Sequence, residues 1–175
     1  MKLLIYRLRG AAPESVEARP EARLLVWRPT IRSLKPDHKG WKYVFYSLFH
    51  WASVFRNRDY CSLSVNVKGE PKASMLVVPT HFRWPFMAQD DLQFTYVITS
   101  AAARRQGWAS YLVREGIRQF AREGRSIWYV TDTNNLASQK LAEKSGFDLA
   151  GSAEPRNSRF HRVRLIANAE SRAAR

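Results

Sequence analysis

The sequence predicts an α/β domain with α+β layering, and three observations carry that expectation. Its 175 residues suit one domain, and a chain of this size buries about 70% of its unfolded surface. Runs rich in β-branched and aromatic residues come first and read as antiparallel strands. The second half alternates strand, helix, strand, helix, strand.

Lys2 to Arg7 and Arg23 to Trp27 read as the first strands, with Arg7 and Arg9 interrupting "MKLLIYRLRG" before a secretory apolar core could form. From Trp41 to Phe55, apolar residues at helical spacing (Trp41, Val44, Phe45, Leu48, Ala52, Phe55) predict a helix whose stripe faces the core. "YCSLSVNV" and "KASMLVV" flank "KGEP" as an antiparallel hairpin. "LQFTYVIT" is a further strand. The stretch "GWASYLVREGIRQFAREG" predicts a helix with Ala109, Leu112, Val113, Gly116 and Phe120 inward, Arg114, Arg118 and Arg122 outward, and Gly124 as its stop. "SIWYVTD" is a strand, "NLASQKLAEKSGF" a helix capped by Asn135 and ended by Gly146, and "RFHRVRLIA" the last strand. Residues 1–166 are expected to form the single domain, and 167–175 a frayed basic tail.

Lys and Arg number 29 against 15 acids, a formal charge of +14, which draws in anionic partners. A lone cysteine, Cys61, excludes an internal disulfide framework and a thiolate zinc cluster, so no metal is expected and a reducing cytoplasm fits. The most apolar stretch, "YVFYSLFHWASVF", is too short and too broken by Ser47, His50 and Ser53 to span a bilayer, so no membrane insertion is expected.

"RRQGWAS", Arg104 to Ser110, sits where a strand hands over to a helix. The first N–H groups of a helix lack internal partners and carry the positive end of its dipole, and Gly107 and Ala109 let an anion approach them. Arg104 and Arg105 add guanidinium groups suited to phosphate oxygens. A phosphate-binding Walker loop is excluded because no Gly-Lys-Ser/Thr follows, and a dinucleotide fingerprint because its three spaced glycines are absent. A helix start with a solvated arginine face remains the plain alternative.

Arg104-Arg105-Gln106-Gly107-Trp108-Ala109 resembles the Q/R-x-x-G-x-G/A loop of the GNAT superfamily of acyl-CoA N-acyltransferases, and "NLASQKLAEKSGF" resembles the family's second motif through Asn135, Ser138, Lys144, Gly146 and Phe147. The resemblance implies a mixed, mostly antiparallel central sheet with helices on both faces, acetyl-CoA as co-substrate, and transfer of its acetyl group to a primary amine by direct attack. It implies that Val97, Ile98 and Thr99 pair with the pantetheine arm, that Arg104, Arg105, Gln106, Gly107, Trp108, Ala109 and Ser110 hold the pyrophosphate, and that Asn135 and Ser138 contact the cofactor. Two positions depart from the family: Ala142 stands where many members carry an acidic tyrosine, and Gln93 where the usual carboxylate stands.

Substitutes for the missing pair are Asp91 as base, since it shares the strand face of Gln93, and Ser138 and Tyr129 as hydroxyl acids. A solvated strand-end aspartate is the competing account of Asp91. For the acceptor, Tyr46, His50, Arg83 and Trp84 suggest an aromatic and cationic wall that would suit an amino sugar, free or nucleotide-linked. Core packing or a homodimer contact explains the same aromatics. A basic nucleic-acid or ribosome-associated module on the same fold is the rival reading; nucleic acid is not the expected partner, because the basic residues are spread along the chain. Acetylation of a protein or peptide amine is a third.

Overall fold

A computed structural model describes residues 2–10, 18–36, 40–154 and 162–167, with the side chain of Lys42 excepted. The strands are β1 (Leu3–Arg9), β2 (Ala22–Trp27), β3 (Cys61–Val67), β4 (Glu70–Pro79), β5 (Leu92–Thr99), β6 (Ser126–Asp132), β7 (Asp148–Ala153) and β8 (Ile166–Ala167). The helices among the described residues are α1 (Trp41–Trp51), α2 (Trp108–Phe120) and α3 (Leu136–Lys144). One sheet runs β2-β3-β4-β5-β6-β1-β7-β8, antiparallel at every junction except β5 with β6. The expected mixed, mostly antiparallel sheet with helices on both faces is the observed one.

The local chemistry explains most of these elements. Lys68 and Gly69, both at positive φ between paired Val67 and Glu70, make the two-residue turn of the β3–β4 hairpin. Asn135 Oδ1 accepts from Ser138 N at 3.1 Å and starts α3. At the other end Gly146 takes φ +86° while Phe147 N reaches Ala142 O, closing the helix in a Schellman motif.

Alternation along the strands divides the interior. Leu63, Met75, Phe94, Ile127 and Tyr129 face α2 and α3. On the opposite face Tyr43, Phe55, Tyr60, Leu76 and Val78 gather under α1, while Leu3, Ile5, Trp84, Met87 and Trp128 form a separate cluster. Helix α2 lies close against the sheet at Gly116, where a Cβ would overlap the Met75 methyl.

Three expectations need correction. Helix α1 ends at Trp51, and its predicted stripe points outward: Trp41 is 85% exposed and Leu48 52%, whereas Tyr43 and Ser47 are fully buried. Nearly every turn of α1 is apolar, so periodicity leaves its face open; hydrogen bonds choose it, from Ser47 Oγ to Leu34 O at 2.7 Å and from Tyr60 Oη to Tyr43 O. Helix α2 ends at Phe120, whose carbonyl accepts from Arg125, and Gly124 serves the turn into β6. Among the described residues of the predicted last strand only Ile166–Ala167 is strand; Arg159 to His161 lie outside the described residues, as does the predicted tail except for Ala167.

Candidate active site at a split in the sheet

β5 and β6 pair only from Leu92–Phe94 to Ile127–Tyr129, and then part. The cause is visible on β4: between Leu76↔Thr95 and Ser74↔Ile98 one residue, Met75, stands opposite two, Tyr96 and Val97. Tyr96 absorbs the extra length at φ +51°, a conformation that costs a tyrosine about 1–2 kcal/mol. This bulge bends β5 away from its parallel neighbour, and Val97 and Thr99 turn into the opening on the α2–α3 side.

There they border a cleft of about 490 Å³ between the start of α2 and one side of α3. Across the loop at its rim the sign of φ alternates, positive at Arg105 (+62°) and Gly107 (+80°), so successive N–H groups converge in a concave nest for an anion. Among the described residues no side chain caps α2, and helix geometry leaves the N–H groups of Trp108, Ala109 and Ser110 without intrahelical acceptors. Gln106 braces the loop rather than the cleft: its Nε2 donates to Ala102 O at 2.8 Å and its Oε1 accepts the Trp108 indole N–H at 3.1 Å. Arg19 covers the Trp108 ring at 4.3 Å and donates to Gln106 O. A Cβ at Gly107 would stand 3.0 Å from this guanidinium.

Among the described residues three cations, Arg105, Lys140 and Lys144, line the cleft, and no acid does. At its floor the hydroxyls of Tyr129 and Ser138 lie 2.8 Å apart. Burial pushes the Tyr129 hydroxyl above its ordinary pKa, with the Ser138 hydrogen bond opposing, so it keeps its proton at neutral pH. Asn135 lines the same cleft while capping α3, so both roles proposed for it are geometrically compatible. The cleft therefore suits a long ligand with phosphates at the α2 end and a narrow arm running along Val97 and Thr99.

The sequence-predicted residues divide accordingly. Val97, Thr99, Arg105, Gly107, Trp108, Ala109, Ser110, Tyr129, Asn135 and Ser138 meet at the cleft; Arg104, Gln106 and the side chain of Ile98 do not line it. Ala142 is buried in the core and Gln93 is buried within the sheet. Asp91 is no solvated base. It is fully buried, and its carboxylate accepts from Ser126 N and Ala88 N at 2.9 Å each and from the Trp128 indole at 2.8 Å. It ties the 84–91 loop to β6.

The expected acceptor wall is also broken up. Trp84 is core, packed with Leu3, Ile5, Met87 and Trp128. His50 turns to a separate cleft with Pro29, Arg32, Trp51 and Arg58, where burial and then Arg58 and Arg28 lower its pKa. Tyr46 lies beside the bulge, its ring centroid 6.3 Å from that of Tyr96, and Arg83 acts on it electrostatically. Sequence reasoning missed Lys140 and Tyr96. The first had a signal, since Ala137, Leu141 and Lys144 with Lys140 fall on one side of a helix; the second had none.

Among the described residues, no three His, Cys, Asp or Glu side chains gather to bind a metal ion, and no helix is long and apolar enough to cross a membrane. No curated protein matches the sequence. Among solved structures, an acetyltransferase of the GNAT family from Novosphingobium aromaticivorans aligns over 86% of this chain and 60% of its own, with TM-score 0.56 and 17% identity. A GNAT-family acetyltransferase from Colwellia psychrerythraea aligns over 85% of this chain and 53% of its own, with TM-score 0.53 and 14% identity. The chain thus spans little more than half the length of these two relatives, and the likeness is one of fold. The family model described as Acetyltransferase (GNAT) family matches residues 23–147, which hold the split, the anion loop and α3. On that match the chain belongs to the GNAT acetyltransferase family.

Proposed function

We propose that this protein is an N-acetyltransferase that moves an acetyl group from acetyl-CoA to a primary amine by direct attack in a ternary complex. The observation that carries the reading is the anion nest of Arg105 to Ser110, opening beside the strand split and flanked by Lys140 and Lys144. Acetyl-CoA would supply the activated acyl group as a thioester. The nest and the three cations hold phosphate, the parted edge of β5 orients the arm, and Tyr129 and Ser138 keep a proton within reach of the sulfur end. Holding the amine against the carbonyl is itself worth about 7–11 kcal/mol, which suits a site with neither the tyrosine at Ala142 nor the carboxylate at Gln93. The aromatic and cationic pair Tyr46 and Arg83 supports an amino sugar, free or nucleotide-linked, as the acceptor to try first.

Calorimetry with acetyl-CoA on wild type and Gly107→Asp tests the assignment. The aspartate brings a side chain and a negative charge into the nest, so binding is lost while circular dichroism is kept. Equal affinity in the folded variant would sink the reading. Tight, salt-resistant oligonucleotide binding without acetyl-CoA affinity would replace it with a nucleic-acid module.

A further inference from the structure

Helix α1 turns an apolar row away from the core. Trp41, Phe45 and Leu48 are spaced by four and three residues, so they lie on one side of the helix, and all three are exposed. Beside the other end of α1 the chain leaving β2 makes a two-residue turn: Thr30 and Ser33 exchange both backbone hydrogen bonds at 3.0 Å, which sets Ile31 and Arg32 at the tip. Such tips ordinarily carry glycine, asparagine or aspartate, yet here a β-branched apolar side chain stands 80% exposed. The turn is braced from below, since the Trp27 indole donates to Ser33 Oγ at 3.0 Å, and Ser47 Oγ of α1 donates to Leu34 O at 2.7 Å.

An open cleft of about 730 Å³ joins the turn to the helix, with Ile31 and Arg32 on one side and Trp51 and Arg58 on the other. The Arg58 guanidinium donates to His50 O at 3.2 Å and to Ser53 Oγ at 3.3 Å, two neutral acceptors that fix it at the cleft without cancelling its charge. Exposed apolar side chains and fixed guanidinium groups therefore share one face.

That combination selects among occupants. A second copy packed about a two-fold axis would bring Arg32 and Arg58 against the same arginines. Nucleic acid would stack on the tryptophans but give Ile31 and Leu48 nothing apolar to bury against. The apolar groups project from a helix ridge and a turn tip, and an anionic bilayer answers both sets: its headgroup–acyl boundary takes projecting apolar side chains, tryptophan above all, while its phosphates meet the arginines. We infer that α1 and the 30–33 turn form a docking face for an anionic lipid surface, with Trp41, Leu48 and Ile31 entering the headgroup–acyl boundary and Arg32 and Arg58 against the lipid phosphates. The face lies on the bilayer and does not span it.

Co-sedimentation of the full chain with vesicles tests this, using phosphatidylcholine alone and phosphatidylcholine mixed with phosphatidylglycerol. Partitioning is expected to be roughly tenfold or more stronger into the anionic vesicles, and to fall about fivefold in Arg32→Gln and by a similar further factor when Arg58→Gln is added. Trp41→Ser and Ile31→Ser should each weaken it by about tenfold, and brominated acyl chains should quench the emission of wild type more than that of Trp41→Phe. Trp41 and Ile31 are exposed, so these variants keep the wild-type circular dichroism; none of the substituted residues borders the cleft of the anion nest, so acetyl-CoA affinity is unchanged. Equal partitioning into the two kinds of vesicle, or binding indifferent to these substitutions, would overturn the inference. So would a wild-type dimer that Trp41→Ser dissociates, which would give the face to a second copy, or oligonucleotide binding lost in Trp41→Ser without any binding to vesicles.

Discussion

The hydroxyls of Tyr129 on β6 and Ser138 on α3 are hydrogen-bonded at 2.8 Å across the floor of the cleft. Burial raises the pKa of Tyr129, so the pair holds one more proton than a thiolate leaving group would, in a site where the position of the family tyrosine is Ala142. Tyr129→Phe and Ser138→Ala should each slow turnover by about 10- to 10³-fold, the range of a positioned proton donor. Because the shift is upward from 10, the hydroxyl stays protonated from about pH 7 to 9, and the wild-type rate should not fall across that window. A pH–rate profile with a descending limb there, or a loss well beyond 10³-fold from either change, would contradict this account.

Asp91 yields a prediction of the opposite kind. Its carboxylate accepts two backbone N–H groups and an indole N–H in a buried site, so Asp91→Asn turns an NH₂ toward donors that need an acceptor. The expected cost is about 2–4 kcal/mol of stability, read from urea unfolding, with kcat/KM of the folded fraction little changed. A general base would show the reverse: stability kept and activity lost.

That contrast marks where sequence reasoning reaches. "LQFTYVIT" and "SIWYVTD" coincide with β5 and β6, and Asn135 and Gly146 bound α3, because each signal is local: a β-rich run, a cap, a left-handed glycine. The anion loop was legible for the same reason. Asp91 was misjudged because two of its donors, Ser126 and Trp128, come from a strand that only the fold brings beside it. Tyr96 lay beyond reading altogether, since its positive φ follows from the register that β4 imposes on β5. The buried face of α1 was ambiguous, as aromatic residues surround that helix and two hydrogen bonds decide which of them turn inward.

The three cations of the cleft should show themselves through phosphate. Lys140→Ala with Lys144→Ala, and separately Arg105→Ala, should weaken CoA by roughly tenfold or more per charge removed, with little effect on a pantetheine fragment. Raising the salt should shrink the difference, because these groups line an open cleft. Equal losses for CoA and pantetheine in calorimetry would show that the lysines shape α3 rather than bind phosphate.

Asp90 should govern part of the acid limit of the fold. Hydrogen bonds from Arg125 and then Arg122 draw its pKa down to about 2 from an ordinary 3.8. A folded-state pKa below the unfolded one stabilises the fold above about pH 4, and that contribution is lost as pH falls from 4 toward 2. The carboxylate is 44% exposed, so solvent screening reduces the linkage to about 1 kcal/mol. Arg125 is nearly inaccessible and keeps Asp59 at 2.6 Å, so losing Asp90 does not leave its charge buried alone. Asp90→Asn should therefore lower stability by about that amount at pH 7 and descend less steeply than wild type between pH 4 and 2. Urea unfolding across that range checks it, and parallel curves for the two proteins would assign the acid sensitivity to other carboxylates.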